Sequence, residues 1–214
     1  GHPLVDAVQP TMTREQFAER QKLDAAKPIV ALLPGSRPGE IAHILPGILE
    51  ACHILERDGK YQFVVAAAQG IPKESLQEHA RGGPPLHIVE GATYDALAAA
   101  DCAIVSSGTA TVEAALLGAP MVVVYRVSAT TAFIARRMVR TPFFSMVNLI
   151  AGRRVVPELI HEAFTPQAVA AEARRLLGSA EERETMRKDL AEVKRKLGPG
   201  GAIEKAAGII AGML

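Results

Sequence analysis

Short apolar runs alternate with longer amphipathic segments from about residue 29 onward, and this alternation leaves the chain few architectures. Apolar runs of about 4 to 8 residues are typical of strands buried on both faces, as in a parallel sheet covered by helices. The candidate strands span residues 29–33, 61–66, 86–89, 102–105 and 121–125. The pattern therefore predicts an α/β fold built on a Rossmann-like, doubly wound parallel sheet.

The segments between these strands have helical periodicity. Apolar residues between positions 44 and 55 recur every three or four residues, which predicts one long helix with an apolar face. Because a proline disrupts the interior of a helix, Pro46 is expected in the first turn of this helix, after a short turn over residues 39–45. Further helices are predicted at residues 72–81, 93–100, 108–117, 129–140, 166–177, 181–197 and 201–213.

The chain is expected to have three parts. Residues 1–25 are polar and interrupted by prolines, which indicates the remnant of an interdomain linker. Residues 26–165 contain the predicted sheet, and residues 166–214 are expected to form a helical C-terminal extension. The sequence thus predicts one Rossmann-like domain with an appended helical segment.

Composition and missing motifs argue against several classes of function. The 24 lysines and arginines nearly balance the 23 aspartates and glutamates, so the chain lacks the basic excess typical of nucleic-acid-binding proteins. No stretch approaches the ~20 apolar residues of a membrane-spanning helix, and no export signal opens the chain. Cys52 and Cys102 lie in apolar segments and are interpreted as buried thiols.

Metal-dependent and hydrolytic chemistry is also not indicated. The six histidines form no zinc pattern, and no Asp-x-Asp pair is present to hold a divalent ion. Neither a Walker A sequence nor a G-x-S-x-G nucleophile motif occurs. We therefore expect no metal and no cofactor.

The loop after the first predicted strand has the composition of a phosphate-binding turn. Gly35 and Gly39 allow the backbone to approach a ligand closely, while Ser36 and Arg37 supply a hydroxyl and a fixed cation. A phosphate suits this combination. The alternative interpretation is a tight strand-to-helix turn whose arginine faces solvent.

The loop after the fourth predicted strand suits a diphosphate. Ser106, Ser107, Gly108 and Thr109 are small residues at a predicted helix start, where several N–H groups lack partners and the helix dipole adds positive charge. Glu113 follows one turn later on the side of Thr109, where its carboxylate can accept hydrogen bonds from two ribose hydroxyls. The alternative for Glu113 is a favourable acid near the helix start, although Ala110 rules out a capping box.

A third group of candidates lies further along the chain. Tyr125 and Arg126 follow the last predicted strand, and Asn148 is a polar residue within an apolar patch. Spacing leaves open whether Asn148 is hydrogen-bonded in the core or lines a sugar pocket.

A nearby segment mixes basic and apolar residues at helical spacing. It contains Phe133, Arg136, Arg137, Met138 and Arg140, followed by Phe143 and Phe144. It is compatible with contact to an anionic bilayer surface and equally with an ordinary amphipathic helix.

Five segments taken together resemble the lipid-A-disaccharide synthases, in order and at suitable separations. They are GHPLVD at 1–6, LLPGSR at 32–37, SGTATVE at 107–113, PMVVVYR at 120–126 and VVPEL at 155–159. Each segment alone is weak, because Ser-Gly-Thr followed by Glu also occurs in other UDP-sugar enzymes. The set is specific and spans nearly the whole chain.

The resemblance implies a GT-B glycosyltransferase, with two Rossmann-like domains facing each other across a cleft, of which this chain would be the C-terminal, UDP-sugar-binding half. It implies transfer of 2,3-diacylglucosamine from UDP-2,3-diacylglucosamine to 2,3-diacylglucosamine 1-phosphate, giving lipid A disaccharide 1-phosphate and UDP. Arg37 would act catalytically on phosphate, the backbone of residues 107–109 would bind diphosphate, Glu113 would bind ribose, and Asn148 would face the donor sugar.

The resemblance also implies a cytoplasmic enzyme, peripheral to the inner membrane of a Gram-negative bacterium. Its N-terminal acceptor domain would carry the acid/base residues, so this half is expected to be inactive alone. A homodimer formed by swapping the C-terminal helices is a further expectation. Two alternatives stay open: a non-catalytic UDP-sugar-binding module, and another GT-B or epimerase enzyme acting on UDP-N-acetylglucosamine.

Overall fold

A computed structural model describes residues 1–126 and 142–212 of the chain. Its strands are β1 (Ile29–Leu33), β2 (Gln62–Ala67), β3 (Leu86–Glu90), β4 (Cys102–Ser106), β5 (Met121–Tyr125) and β6 (Glu158–Ile160). They form one parallel sheet of six strands in the order β3-β2-β1-β4-β5-β6. This is the strand order of a Rossmann fold, so the predicted fold class is confirmed.

The predicted strands match the observed ones to within a residue at each end, and β1 and β5 match fully. Strand β6 was not predicted. Its three residues are only half-buried at the sheet edge, so they lack the apolar run that identifies the other strands.

Helices cover the sheet. In chain order they are α1 (Leu4–Ala7), α2 (Arg14–Arg20), α3 (Pro38–Glu56), α4 (Lys73–His79), α5 (Thr93–Ala99), α6 (Thr109–Leu116), α7 (Met146–Ala151), α8 (Pro166–Gly178), α9 (Ala180–Lys196) and α10 (Ala202–Ala211). The helix predicted at residues 129–140 lies outside the described residues. No helix in the described part of the chain combines the length and apolar character that crossing a membrane requires.

The prediction for Pro46 was wrong. Pro38 occupies the first turn of α3, and the helix continues through Pro46. A proline inside a helix removes one backbone hydrogen bond. That loss is offset because the face of α3 buries Ile44, Ile48 and other apolar side chains in the core, each worth about 1.5 to 3 kcal/mol on full burial.

The first 25 residues fold onto the sheet domain. Thr13 and Gln16 form a capping box that starts α2, and Phe17 of this helix is fully buried in the main core. Arg14 donates a hydrogen bond to Asp101 at 2.8 Å, and the same carboxylate accepts from the amide of Ile29 at 2.9 Å. The position of this stretch between two domains, expected from its composition, stays a prediction.

The C-terminal helices divide into a buried pair and an exposed one. Helices α8 and α9 contribute buried side chains to the same core as the sheet, including Val169 and Leu190. Helix α10 has no buried residue, and Ile203, Ile209 and Ile210 are all more than half exposed, at 54%, 57% and 62%. The predicted extension is helical, but only α10 lies outside the core.

Replacing Phe17 by alanine tests whether the N-terminal stretch belongs to the folding unit. We expect Phe17→Ala to lower the free energy of unfolding by about 3 to 5 kcal/mol, since a buried aromatic ring leaves a cavity. Phe144→Ala is the matched control, because Phe144 is 41% exposed and its loss should change stability by less than about 0.5 kcal/mol. Urea titration measures both; equal, small effects would show that residues 1–25 are not part of the unit.

Candidate functional site

The strand order brings two predicted loops together. From β1 the chain moves outward through β2 and β3, whereas β4, β5 and β6 extend to the other side. In such sheets ligands bind beyond the carboxyl ends of the strands at the point where the order reverses. Leu33 of β1 pairs with Val105 of β4, so the Gly35 and Gly108 loops leave the sheet side by side.

A cavity of about 920 Å³ opens at this edge of the sheet. Its volume lies within the range of roughly 300–1,000 Å³ that is usual for small-molecule sites. Most of the predicted site residues line it: Gly35, Ser36, Arg37, Ser106, Ser107, Gly108, Thr109, Glu113 and Tyr125. Arg126 and Asn148 do not.

The amino end of α6 faces this cavity without a side-chain cap. Gly108 is the N-cap residue, and it has no side chain that could accept a hydrogen bond from the first amides of the helix. The hydroxyl of Thr111 donates inward to the carbonyl of Gly108 at 2.8 Å, which leaves the opening clear. Amides in a first helical turn lack intrahelical partners and attract anions.

One predicted donor is not available. The amide of Ser107 donates to the carbonyl of Val124 at 2.9 Å, so it extends the ladder between β4 and β5. The hydroxyl of Ser107 donates to the carbonyl of Phe144 at 3.3 Å. Of the expected backbone donors at 107–109, those of Gly108 and the first residues of α6 therefore remain as candidates for binding an anion.

Ser106 lines the cavity, and its hydroxyl oxygen is buried. Ser106 is only 4% exposed, and its Oγ has no hydrogen-bond partner among the residues that the structure describes. A buried hydroxyl without a partner costs about 1 to 3 kcal/mol. This group is therefore suited to a polar ligand atom.

The Gly35 turn presents a cation and a carboxylate together. Gly35 has a φ of +128°, a conformation that side chains rarely adopt. The Arg37 guanidinium is 80% exposed and contacts Oε1 of Glu40 at 3.2 Å, while the Ser36 amide donates to Oε2 of Glu40 at 3.2 Å. Sequence reasoning assigned no role to Glu40, although it lies just one turn beyond the glycine.

Glu113 lies opposite, in contact with a tyrosine. The hydroxyl of Tyr94 donates to Oε1 of Glu113 at 3.4 Å. Burial raises the pKa of Glu113 above its ordinary value, and the hydrogen bond from Tyr94 opposes that rise. Burial and the nearby carboxylate both raise the pKa of Tyr94. The pair forms a polar wall with hydrogen-bonding capacity toward the cavity.

The N-terminal stretch completes the cavity, which the sequence did not indicate. Gln9 and Thr11 line it, and the carboxylate of Asp95 holds this stretch in place. Asp95 accepts hydrogen bonds from the Thr11 amide at 2.6 Å, the Thr11 hydroxyl at 3.0 Å and the Met12 amide at 2.9 Å. These contacts join residues more than eighty positions apart, so no local pattern predicts them.

Arg126 is engaged elsewhere. Its guanidinium donates to the carbonyl of Phe164 and lies 4.7 Å from the centre of the Phe164 ring. This arginine therefore ties β5 to the segment before α8 and does not line the cavity, and its binding role stays a prediction.

Asn148 lies in the core, which is the first of the two interpretations that its sequence spacing left open. Its side chain is fully buried and uses both its donors and both its acceptor positions within the chain. Nδ2 donates to the Val156 carbonyl at 3.0 Å and to Glu158 at 2.8 Å, while Oδ1 accepts from the amides of Val155 and Val156 at 2.7 and 3.1 Å. Asn148 therefore has a structural role in this chain, and its implied role toward the donor sugar stays a prediction.

Glu158 is the partner that sequence analysis missed. Burial raises the pKa of Glu158, but hydrogen bonds from Ser145, Phe144 and Asn148 outweigh this effect and hold the pKa below its ordinary value. The carboxylate thereby joins the start of α7 to β6. The basic and apolar segment containing Phe133, Arg136, Arg137, Met138 and Arg140 lies outside the described residues.

Metal-binding side chains and thiols are the remaining candidates for reactive groups. Within residues 1–126 and 142–212, no cluster of three or more His, Cys, Asp or Glu side chains could hold a metal ion. Cys52 and Cys102 are buried free thiols, as predicted. Burial raises the pKa of Cys102 to about 12 and that of Cys52 further, so neither is a nucleophile at neutral pH.

Removing the Asn148 side chain tests its structural role. Asn148→Ala leaves several buried backbone groups without partners, so we expect the free energy of unfolding to fall by about 2 to 4 kcal/mol. Gln9→Ala, at an exposed position on the cavity rim, should leave stability almost unchanged. Thermal and urea unfolding of the two variants measures this difference, and a stable Asn148→Ala protein would contradict the core assignment.

Known sequences place the chain in a family. A family model described as lipid-A-disaccharide synthetase matches residues 1–209. The lipid-A-disaccharide synthase of Solibacter usitatus is 44% identical over 208 residues, which cover 97% of this chain and 54% of that protein. The one from Syntrophus aciditrophicus is 42% identical over 210 residues, covering 97% and 55%. The chain thus spans about half the length of the curated relatives it matches.

Solved structures with the same fold are more distant in sequence. HepE from Anabaena, determined in complex with UDP and glucose, has a TM-score of 0.59 at 11% identity and covers 98% of this chain and 55% of that chain. A UDP-GlcNAc 2-epimerase from Neisseria meningitidis, bound to UDP-GlcNAc, has a TM-score of 0.57 at 14% identity, covering 97% and 50%. At such identities the likeness shows the fold alone. The family match over nearly the whole sequence is decisive instead: this chain belongs to the lipid-A-disaccharide synthetase family.

Proposed function

We propose that this chain is the C-terminal, UDP-binding part of a lipid-A-disaccharide synthase. In this role it holds UDP-2,3-diacylglucosamine while the sugar is transferred to 2,3-diacylglucosamine 1-phosphate. The observation that carries the proposal is the convergence of the open α6 amino end, the Gly35 turn and the unpartnered Ser106 hydroxyl on one cavity. The names of the curated relatives support the reaction, and the UDP and UDP-GlcNAc bound by two proteins of the same fold support the ligand.

The diphosphate is proposed to rest against the amino end of α6. Backbone amides at Gly108 and Thr109 donate to its oxygens, and the helix dipole adds partial positive charge. Arg37, from the neighbouring turn, closes over the phosphate nearest the sugar. These donors need no metal ion, so we propose a metal-independent transferase.

Glu113 is proposed to bind the ribose. A carboxylate accepts two hydrogen bonds at once, which suits the adjacent hydroxyls of a ribose. Its contact with Tyr94 fixes the carboxylate at the cavity wall. Tyr125, on the cavity side of β5, supplies an apolar face near the same ligand.

The transition state gives Arg37 its proposed catalytic role. As the bond between sugar and UDP breaks, negative charge accumulates on the leaving diphosphate. Donors placed around that diphosphate stabilise the transition state more than the ground state, and this difference lowers the barrier. Deprotonation of the acceptor hydroxyl is assigned to the N-terminal half of the longer relatives, so the chain alone is proposed to be inactive.

The cellular setting is proposed on the chemistry of the substrates. Both carry acyl chains, so the complete enzyme is proposed to act in the cytoplasm at the surface of the inner membrane of a Gram-negative bacterium. The exposed apolar side chains of Phe144, Met146 and Leu149 support contact with such a surface, and the Phe144 carbonyl accepts a hydrogen bond from Ser107 at the cavity. A homodimer that swaps the exposed helix α10 is a further part of the proposal.

Calorimetry with UDP tests the binding role. The 214-residue chain is expected to bind UDP, and Arg37→Ala to weaken that binding about tenfold, since a hydrogen bond to a charged group contributes about 1.5 to 3 kcal/mol. Arg81→Ala removes an exposed arginine outside the cavity and should change nothing. A folded chain that shows no heat of UDP binding would end the proposal.

An assay of the complete enzyme tests the reaction. When the chain is preceded by its N-terminal half, Arg37→Ala and Glu113→Ala are each expected to lower turnover at least tenfold, because removing one such donor costs about 2.7 to 4 kcal/mol in comparable sites. The chain alone should form no disaccharide. Comparing acylated with unacylated UDP-sugars separates this reaction from other UDP-N-acetylglucosamine chemistry, and unchanged turnover in both variants would refute the assignments.

A further inference from the structure

The Glu40 carboxylate contacts both groups of the Gly35 turn that could hold a phosphate. Its Oε2 accepts from the Ser36 amide at 3.2 Å, and its Oε1 lies 3.2 Å from the Arg37 guanidinium. An amide and a guanidinium arranged in this way form a binding place for an anion. The anion present is a side chain of the protein itself.

The carboxylate is packed inside the turn. A methyl group on Gly35 would come within 2.9 Å of both Cβ and Oε2 of Glu40. The Glu40 side chain is 23% exposed, whereas that of Arg37 is 80% exposed. The turn therefore holds the carboxylate at its centre, while the arginine lies outside and is free to reorient.

The carboxylate also faces the ligand cavity. Glu40 lines the same space as Gly108 and Glu113, so it contributes negative charge to a place where a nucleotide would bring more. Like charges a few ångströms apart repel, and they do so more strongly near a protein surface than in bulk water. The presence of Glu40 therefore disfavours an anionic ligand at the turn unless the carboxylate moves.

We propose that Glu40 is an internal competitor for the nucleotide phosphate: its carboxylate holds the Ser36 amide and the Arg37 guanidinium, and a bound phosphate displaces it. This inference rests on the proposed function, because it names what the diphosphate must replace. Displacement transfers two donors from the protein's own anion to the ligand. A ligand with little charge cannot make this exchange, so Glu40 lowers the affinity for the diphosphate and leaves the affinity for the nucleoside unchanged.

Replacing Glu40 by glutamine removes the charge and keeps the shape. The amide oxygen of glutamine can still accept from Ser36, so the turn is retained. We expect E40Q to bind UDP about threefold to fivefold more tightly than the wild type, the size typical of losing an exposed ion pair. Uridine, which has no phosphate, should bind both proteins alike. The gain for UDP should shrink as ionic strength rises from about 0.05 M to about 0.5 M.

The matched control is Glu50→Gln. Glu50 is an exposed carboxylate on the same helix and does not line the cavity, so its removal changes net charge equally but should leave UDP binding unaltered. If Glu40 merely stiffened the turn, E40Q would bind UDP more weakly or equally. Either result, obtained with a wild type that does bind UDP, overturns this inference alone. A wild type that binds no UDP defeats the proposed function instead.

Carbon-13 NMR of the unaltered chain gives a test that needs no variant. The carboxylate resonance of Glu40 is expected to shift when UDP is added and to stay in place when uridine is added, because only the diphosphate displaces it. The carboxylate of Glu50 serves as the internal reference. A UDP titration that moves the amide resonance of Gly108 and leaves that of the Glu40 carboxylate unmoved would overturn the inference.

Discussion

The parallel pairing of β1 with β4 is the contact on which the candidate site depends. It joins two strands that lie some seventy residues apart in the sequence, and each is buried along its whole length. Because crossovers leave these two strands in opposite directions, the helices beyond them diverge and open a crevice. The Gly35 turn and the amino end of α6 meet across that crevice for no other reason.

Much of the fold follows from the sequence because buried parallel strands have an unmistakable composition. Strands such as Met121–Tyr125 contain no polar residue until their last position, and their bounds were predictable. Strand β6 was not, since its three residues are only half-buried and form no apolar run like those of the other strands. The continuation of α3 through Pro46 depends on burial of its apolar face in the core, which outweighs a local propensity.

The site residues were predictable only where neighbouring residues in the sequence form the site together. Glycines and small hydroxylated residues at a strand end indicate an anion site by themselves, so the residues of the two loops were found. The roles of Asn148 and Arg126 depend instead on Glu158 and Phe164, partners that become neighbours only after folding. Asp95 is the extreme case, because three strands lie in the sequence between it and its partners at residues 11 and 12.

The anchoring of the first residues by Asp95 has a practical meaning for domain boundaries. A shortened version that starts at β1 would keep every strand of the sheet, yet it would lose the ring of Phe17 from the core and the side of the crevice formed by Gln9 and Thr11. Such a fragment would contain both loops and still present them in an altered pocket. The smallest fragment that keeps the pocket intact must therefore include the residues held by the Asp95 carboxylate on α5, and not only the strands of the sheet.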